Sequence, residues 1–150
     1  EKDQIKAPNL VNLLSNDKIL KLFHFGRFDI AILFSTFGVI TSPVYCTKIA
    51  SKIARTYTNR HGLKNLLSEI LDVDISKQQQ SSDWGAKHLS KAQIEYAATD
   101  VLYLHALREK LNEMLTRENR SELANECFKF LPSRAVLDIK GWNDIDIFEH

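Results

Sequence analysis

The chain has 150 residues, enough for one compact domain with a buried core. Hydrophobic residues at 44% and charged residues at 26% are ordinary for a globular protein and exclude wholesale disorder. Twenty basic residues against 19 acids leave a net charge of +1, so nucleic-acid binding has to be argued from local clusters. No apolar run reaches membrane-span length, the N-terminus EKDQIKAPNL has no apolar signal core, and Cys46 and Cys127 form no C-x-x-C pair. The expectation is a protein without membrane contact, disulfide scaffold or zinc knuckle, in a reducing, cytoplasmic location.

In chain order, Pro8 and Asn9 open a short helical pattern, Leu10, Leu13 and Leu14, closed by Ser15-Asn16-Asp17. Ile19 to Phe25 is a dense apolar run of strand length, suited to a strand buried on both faces of an α/β sheet. Gly26 breaks it, and helical spacing follows at Phe28, Ala31, Ile32 and Phe34. A strand, a Gly turn and a helix can place a side chain at a sheet's C-terminal edge. A second β-prone run extends from Val39 to Cys46, interrupted by Thr41-Ser42-Pro43, and Thr47 can cap a helix to about Arg55. After a polar connector, Leu63, Leu66, Leu67, Ile70 and Leu71 give the stripe of an amphipathic helix. Asp72 to Trp84 reads as a polar loop, ordered by the buriable Trp84. Ser90 and Gln93 form a capping box opening a helix over about 91–116, striped by Ile94, Ala97, Ala98, Val101, Leu104, Leu111 and Leu115. A last helix, about 121–130, leads to Pro132 and a locally acidic tail from Asp138. The whole reads as one domain, 1–150, in which 118–150 is a C-terminal helix and acidic tail.

Phosphate-loop, nucleophile-elbow, dinucleotide and H-E-x-x-H motifs are absent. His105 and Glu109 lie one turn apart, a pair that fits a solvated helix face better than a metal. Three features remain. Asp29 follows a buried strand and lies between Phe28 and Ile30, where an acid is costly unless a cation, metal or helix amides satisfy it; alone it also reads as a helix-start acid. Tyr96 and Asp100 are four apart and share a helix face at the margin of the apolar stripe; alone they also read as a surface pair. No acid separates Asp29 from Glu69, whereas Lys48, Lys52, Arg55, Arg60 and Lys64 occur there with His61. Lys48, Lys52 and Arg55 at i, i+4, i+7 make either a phosphate-tracking stripe or a solvated face. Acids able to hold a divalent metal beside a basic stripe are what phosphodiester hydrolysis requires.

His24-Phe25-Gly26-Arg27-Phe28-Asp29 resembles the second exonuclease motif of the ribonuclease D-type 3′-to-5′ exonucleases, the tyrosine branch of the DEDD superfamily. Ile94-Glu95-Tyr96-Ala97-Ala98-Thr99-Asp100 resembles the third, Tyr-x-x-x-Asp. The segments Cys46–Ala50, Thr56–Leu63 and Lys77–Trp84 are similar to the family's intervening stretches, and the likeness spans about residues 7 to 131. It implies an α/β, ribonuclease H-like fold, helix-rich here because the first strands are not found. It further implies a metal-dependent 3′-5′ exoribonuclease using two divalent ions, Mg²⁺ or Mn²⁺, with Asp29 and Asp100 as metal ligands. Tyr96 would orient the attacking water, making Asp29, Tyr96 and Asp100 the catalytic set. Lys48, Lys52, Arg55, Arg60, His61 and Lys77 would guide the nucleic acid, expected to be a single-stranded RNA 3′ end, with single-stranded DNA as a further possibility.

The family's first motif, Asp-x-Glu on the first strand, has no counterpart among the 28 residues before Asp29. Two readings follow. In the favoured one, an exonuclease domain lacks its N-terminal piece and the 150-residue chain is by itself nearly inactive. In the other, a catalytically incompetent relative binds nucleic acid or a protein partner. Oligomeric state is left open, although a sheet without its first strands would expose an edge.

Overall fold

The computed structural model of the chain describes residues 6–75 and 81–150. The elements run α1 (Pro8–Ser15), β1 (Lys21–Phe23), α2 (Gly26–Phe37), β2 (Val44–Cys46), α3 (Thr47–Ala54), α4 (Leu63–Leu71), α5 (Lys91–Leu102), α6 (Leu104–Arg117) and α7 (Ser121–Leu137), then a wide helical turn at Asp138–Trp142. β1 and β2 pair in parallel, with Lys21 opposite Val44 and Phe23 opposite Cys46, and α2 lies in the connection between them. The strand is shorter than the apolar run that encodes it, because Ile19 and Leu20 stay exposed ahead of it. Lys21 is buried at its start, where the ammonium donates to the carbonyls of Asn16 (2.7 Å) and Ser42 (2.6 Å). Those bonds make a buried cation tolerable.

Leu107, Leu111 and Leu115 of α6 form the centre of the core, with Leu66 and Leu67 of α4 and Ala50 and Ala54 of α3. α7 packs across α2, β2 and α3 through Ala124, Phe128, Leu131 and Ala135. The expected helix over 91–116 is two helices, parted at Tyr103 (φ −97°, ψ −1°). Ile94 and Val101, expected in the core, lie on α5 and are 57% and 58% exposed, because no described element covers that face. The last helix continues past 130 to Leu137 with Pro132 inside it; burial of Leu131, Pro132 and Ala135 offsets the lost backbone bond. Thr47 is the first residue of α3 rather than its cap, and its hydroxyl donates instead to the Phe23 carbonyl (3.2 Å). The acidic tail is strapped down at Asp138, which accepts from Arg27 (2.6 and 2.7 Å) and Arg134 (2.9 Å). Among the described residues no helix is long and apolar enough to cross a membrane.

A Cβ added to Gly26 would lie 2.8 Å from the Cβ of Phe23, whereas one on Gly62 meets nothing nearer than Asn65 Nδ2 at 3.7 Å. Gly26→Ala should therefore lower stability by about 1–3 kcal/mol through overpacking. Gly62→Ala should change it by only about 0.5 kcal/mol or less. Urea unfolding of both variants checks the contrast.

Candidate active site

β1 ends at Phe23, and the chain reverses through His24 and Phe25 into α2. Phe25 is left-handed (φ 63°, ψ 37°), and Gly26 follows with no side chain to meet Phe23. This tight reversal puts Asp29 in the first turn of α2, where the helix dipole favours an acid. Facing it, α5 is held at its start by the expected capping box: the Gln93 N–H donates to Ser90 Oγ (3.2 Å) and the Ser90 N–H to Gln93 Oε1 (2.8 Å). Gln93 Nε2 also donates to the Asp83 carbonyl (3.0 Å) and Ser82 Oγ (3.1 Å), which fixes the preceding segment. Trp84 stays partly exposed there, its ring 6.0 Å from that of Tyr96.

Asp29, Tyr96 and Asp100 line one cleft of about 510 Å³, with His24, Phe25 and Lys48 in its walls. Desolvation raises the pKa of Asp29, partly opposed by a hydrogen bond from its own backbone N–H. Desolvation also raises Asp100, and it raises the Tyr96 phenol further with help from the Asp100 charge. Neither carboxylate has an ion-pair partner among the described residues. Two hard oxygen donors without a counter-cation fit a divalent ion. No group of three or more His, Cys, Asp or Glu is placed to hold a metal among the described residues, so these two acids fall short of the ligands two ions need. His24 is neutral, its pKa lowered to about 4 by burial and by the nearby Lys48 charge.

The basic residues divide. Lys48 lines the cleft, with its ammonium 4.2 Å from the Phe25 ring centroid. Lys52 is exposed and borders, with Lys48 and Phe25, a second cavity of about 270 Å³. The expected row from Lys48 to Arg55 does not form a single exposed face, because Arg55 falls just past α3 and is 3% exposed. Its guanidinium pairs with Glu69 and donates to the Arg60 carbonyl (3.1 Å). Arg60 also pairs with Glu69 (2.6 Å), and His61 Nδ1 bonds Ser51 Oγ (2.8 Å). Lys77 lies outside the described residues. His24 and Phe25 were visible in the sequence only as parts of a motif. A left-handed non-glycine residue leaves no compositional signal.

A two-stranded parallel sheet wrapped by helices, with acids from α2 and α5 lining one cleft, is an α/β arrangement. A 3′-5′ exonuclease family matches residues 2–116, and the chain belongs to it. The ribonuclease D of Acidiphilium cryptum is 38% identical over 114 residues, covering 76% of this chain and 29% of that protein. The chain thus spans about three tenths of the length of the curated relatives it matches. Among solved structures, Brucella melitensis NrnC is similar at TM-score 0.95 and 61% identity, over 100% of this chain and 73% of that one. Escherichia coli RNase D is similar at TM-score 0.78 and 27% identity, over 91% and 37%. The fold is that of the ribonuclease H-like 3′-5′ exonucleases.

The raised carboxyl pKa values carry a definite sign. Stability tied to a raised folded-state pKa is present at acid pH and is lost as pH rises through that value. Without divalent ions, Asp100→Asn should be at least as stable as its parent at neutral pH. Mg²⁺ should raise the Tm of the parent and not of the variant. His24 acts oppositely: its stabilisation is present above 6.5 and is lost as pH falls toward about 4, so His24→Gln should flatten acid destabilisation in that window. Thermal melts across pH, with and without Mg²⁺, check all three.

Proposed function

We propose that this cleft hydrolyses the terminal phosphodiester of single-stranded RNA from the 3′ end, with divalent metal held by Asp29 and Asp100. The observation that supports it most is that Asp29, Tyr96 and Asp100, drawn from α2 and α5, line one cleft with no cation paired to either acid among the described residues. Solved forms of the similar Brucella melitensis NrnC include one with bound Mg²⁺ and one bound to pGG, at 59% and 60% identity. They support divalent metal use and RNA as the substrate class here. The same reading carries a cytoplasmic location, where RNA ends meet reduced Cys46 and Cys127.

In the reaction, the oxygen of a water attacks phosphorus, the bond from phosphorus to the 3′-oxygen of the penultimate nucleotide breaks, and that oxygen takes up a proton. A divalent ion, when bound, acts as a Lewis acid and lowers the pKa of water. Tyr96, kept neutral by burial and by Asp100, holds the attacking water through its hydroxyl without adding charge. Lys48 offers a cation to the phosphate, and the half-exposed Phe25 offers a ring face to a base. Asp29 and Asp100 supply about half the negative charge expected opposite two dications, so full turnover requires further carboxylates. An Asp-x-Glu segment ahead of the chain would provide them.

Single-turnover degradation of a labelled RNA in Mg²⁺ or Mn²⁺ tests the proposal. The 150-residue chain should be nearly inactive, and a chain extended by an Asp-x-Glu segment should shorten RNA from the 3′ end. In the extended chain Asp100→Asn should abolish turnover, and Tyr96→Phe should slow chemistry by roughly 10²-fold or more with binding retained. Full activity of the short chain, or an unchanged rate in Tyr96→Phe, would contradict it.

The basic set makes a separate prediction. Lys48→Ala and Lys52→Ala together should weaken binding of unrelated RNA sequences alike and reduce the salt dependence by about one counterion per lost contact. Arg55→Ala should instead leave Glu69 with only the exposed Arg60 as partner and remove a buried side chain, destabilising the fold by about 1–3 kcal/mol with little change in that salt slope. Binding titrations at several salt concentrations and a urea melt separate the two roles.

A further inference from the structure

His24 sits in the cleft wall with a hydrogen-bonding state that its neighbours dictate. The Phe23 carbonyl can only accept, so the Thr47 hydroxyl 3.2 Å away must donate to it. With its single proton committed, Thr47 Oγ1 can only accept from His24 Nδ1, 2.9 Å away. Both contacts are hydrogen bonds at once only when the proton of the neutral ring is on Nδ1, an arrangement that leaves Nε2 a bare acceptor. Among the described residues Nε2 has no hydrogen-bond partner, and His24 lines the cleft that holds Asp29, Tyr96 and Asp100.

We propose that His24 Nε2 accepts a hydrogen bond from a ribose hydroxyl of the 3′-terminal nucleotide. The inference rests on the exonuclease reading above and deepens it by naming the part of the substrate that the wall recognises. Phosphate oxygens and base carbonyls bring only lone pairs, which a bare ring nitrogen repels. A metal ion at Nε2 is opposed by the Lys48 ammonium, whose charge already acts on this ring. A neutral donor is what remains. Base N–H groups also donate but differ from nucleotide to nucleotide, whereas the sugar hydroxyls are common to every RNA end and adjoin the scissile phosphate. Both the 2′- and the 3′-hydroxyl have this chemistry, and the experiment distinguishes them.

The test measures binding by fluorescence anisotropy, and separately single-turnover hydrolysis, on three RNAs that differ only at the last sugar: ribose, 2′-deoxyribose and 3′-deoxyribose. The chain extended by an Asp-x-Glu segment should prefer ribose over at least one deoxy form by about five- to tenfold, the worth of one hydrogen bond. His24→Asn can still donate an amide N–H toward Thr47 but is too short to present an acceptor in the cleft. It should lose the preference, so that ribose and deoxy ends are handled alike. His24→Gln places its carbonyl oxygen near the position of Nε2 and should keep the preference. Equal handling of all three RNAs by the parent would overturn the inference without recourse to any variant, as would a preference unaltered in His24→Asn. An equal loss on all three RNAs in His24→Asn would also overturn it, as the mark of a purely structural residue. In the extended chain, discriminating binding without hydrolysis would reject the exonuclease reading and uphold the hydroxyl contact, and no binding of any RNA would contradict both.

Discussion

The closeness of β1 to α2 is the constraint on which the site depends. The chain turns through a left-handed Phe25 into Gly26, where a single added carbon would meet Phe23 at 2.8 Å. Any wider turn would carry the first turn of α2 away from the strand end. That turn holds Asp29 toward the cleft and Arg27 toward Asp138, so the reversal positions a candidate ligand and anchors the tail together. It also leaves the Phe25 ring half exposed beneath the Lys48 ammonium. The Thr47 bond to Phe23 ties the start of α3 to the same strand end and, through His24, fixes the proton on an imidazole in the cleft wall.

Charge is distributed unevenly around this turn. Away from the cleft, several buried or half-buried charges are matched: Arg55 and Arg60 share Glu69, Arg27 and Arg134 share Asp138, and Lys21 is held by two carbonyls. In the cleft, Asp29 and Asp100 are desolvated without an ion-pair partner among the described residues, and both are harder to ionise than an ordinary Asp. Two desolvated acids facing one cavity are the feature on which the proposed cation site rests. Tyr96 sits one helical turn from Asp100 with its phenol kept neutral by the same burial, which suits a group that orients water rather than one that ionises.

Much of this was legible in the residues. The apolar run broken at Gly26 announced a strand, a turn and a helix, and the four-residue spacing of Tyr96 and Asp100 put them on one helix face. The capping box at Ser90 and Gln93 formed as read. Other features depended on contacts between distant segments. Nothing local marks Tyr103 as a break, because the helical spacing of Val101, Leu104, Leu111 and Leu115 runs straight through it. The stripe of α5 looked like core by periodicity, yet Ile94 and Val101 are exposed, since periodicity shows which residues share a face and not what covers it. Arg55 fitted a basic stripe by spacing, but the first acid downstream, Glu69, folds back onto it.

The central claim is that Asp29 and Asp100 together bind a divalent ion in the cleft beside Tyr96. Its most direct test is anomalous diffraction at the manganese edge from crystals of the intact protein grown with Mn²⁺, set beside crystals of Asp29→Asn. The account predicts a strong anomalous peak within coordination distance of both carboxylates in the parent, about 2.0–2.6 Å, that is weakened or lost in the variant. A cleft without manganese at saturating Mn²⁺, or a peak unaffected by Asp29→Asn, would contradict it.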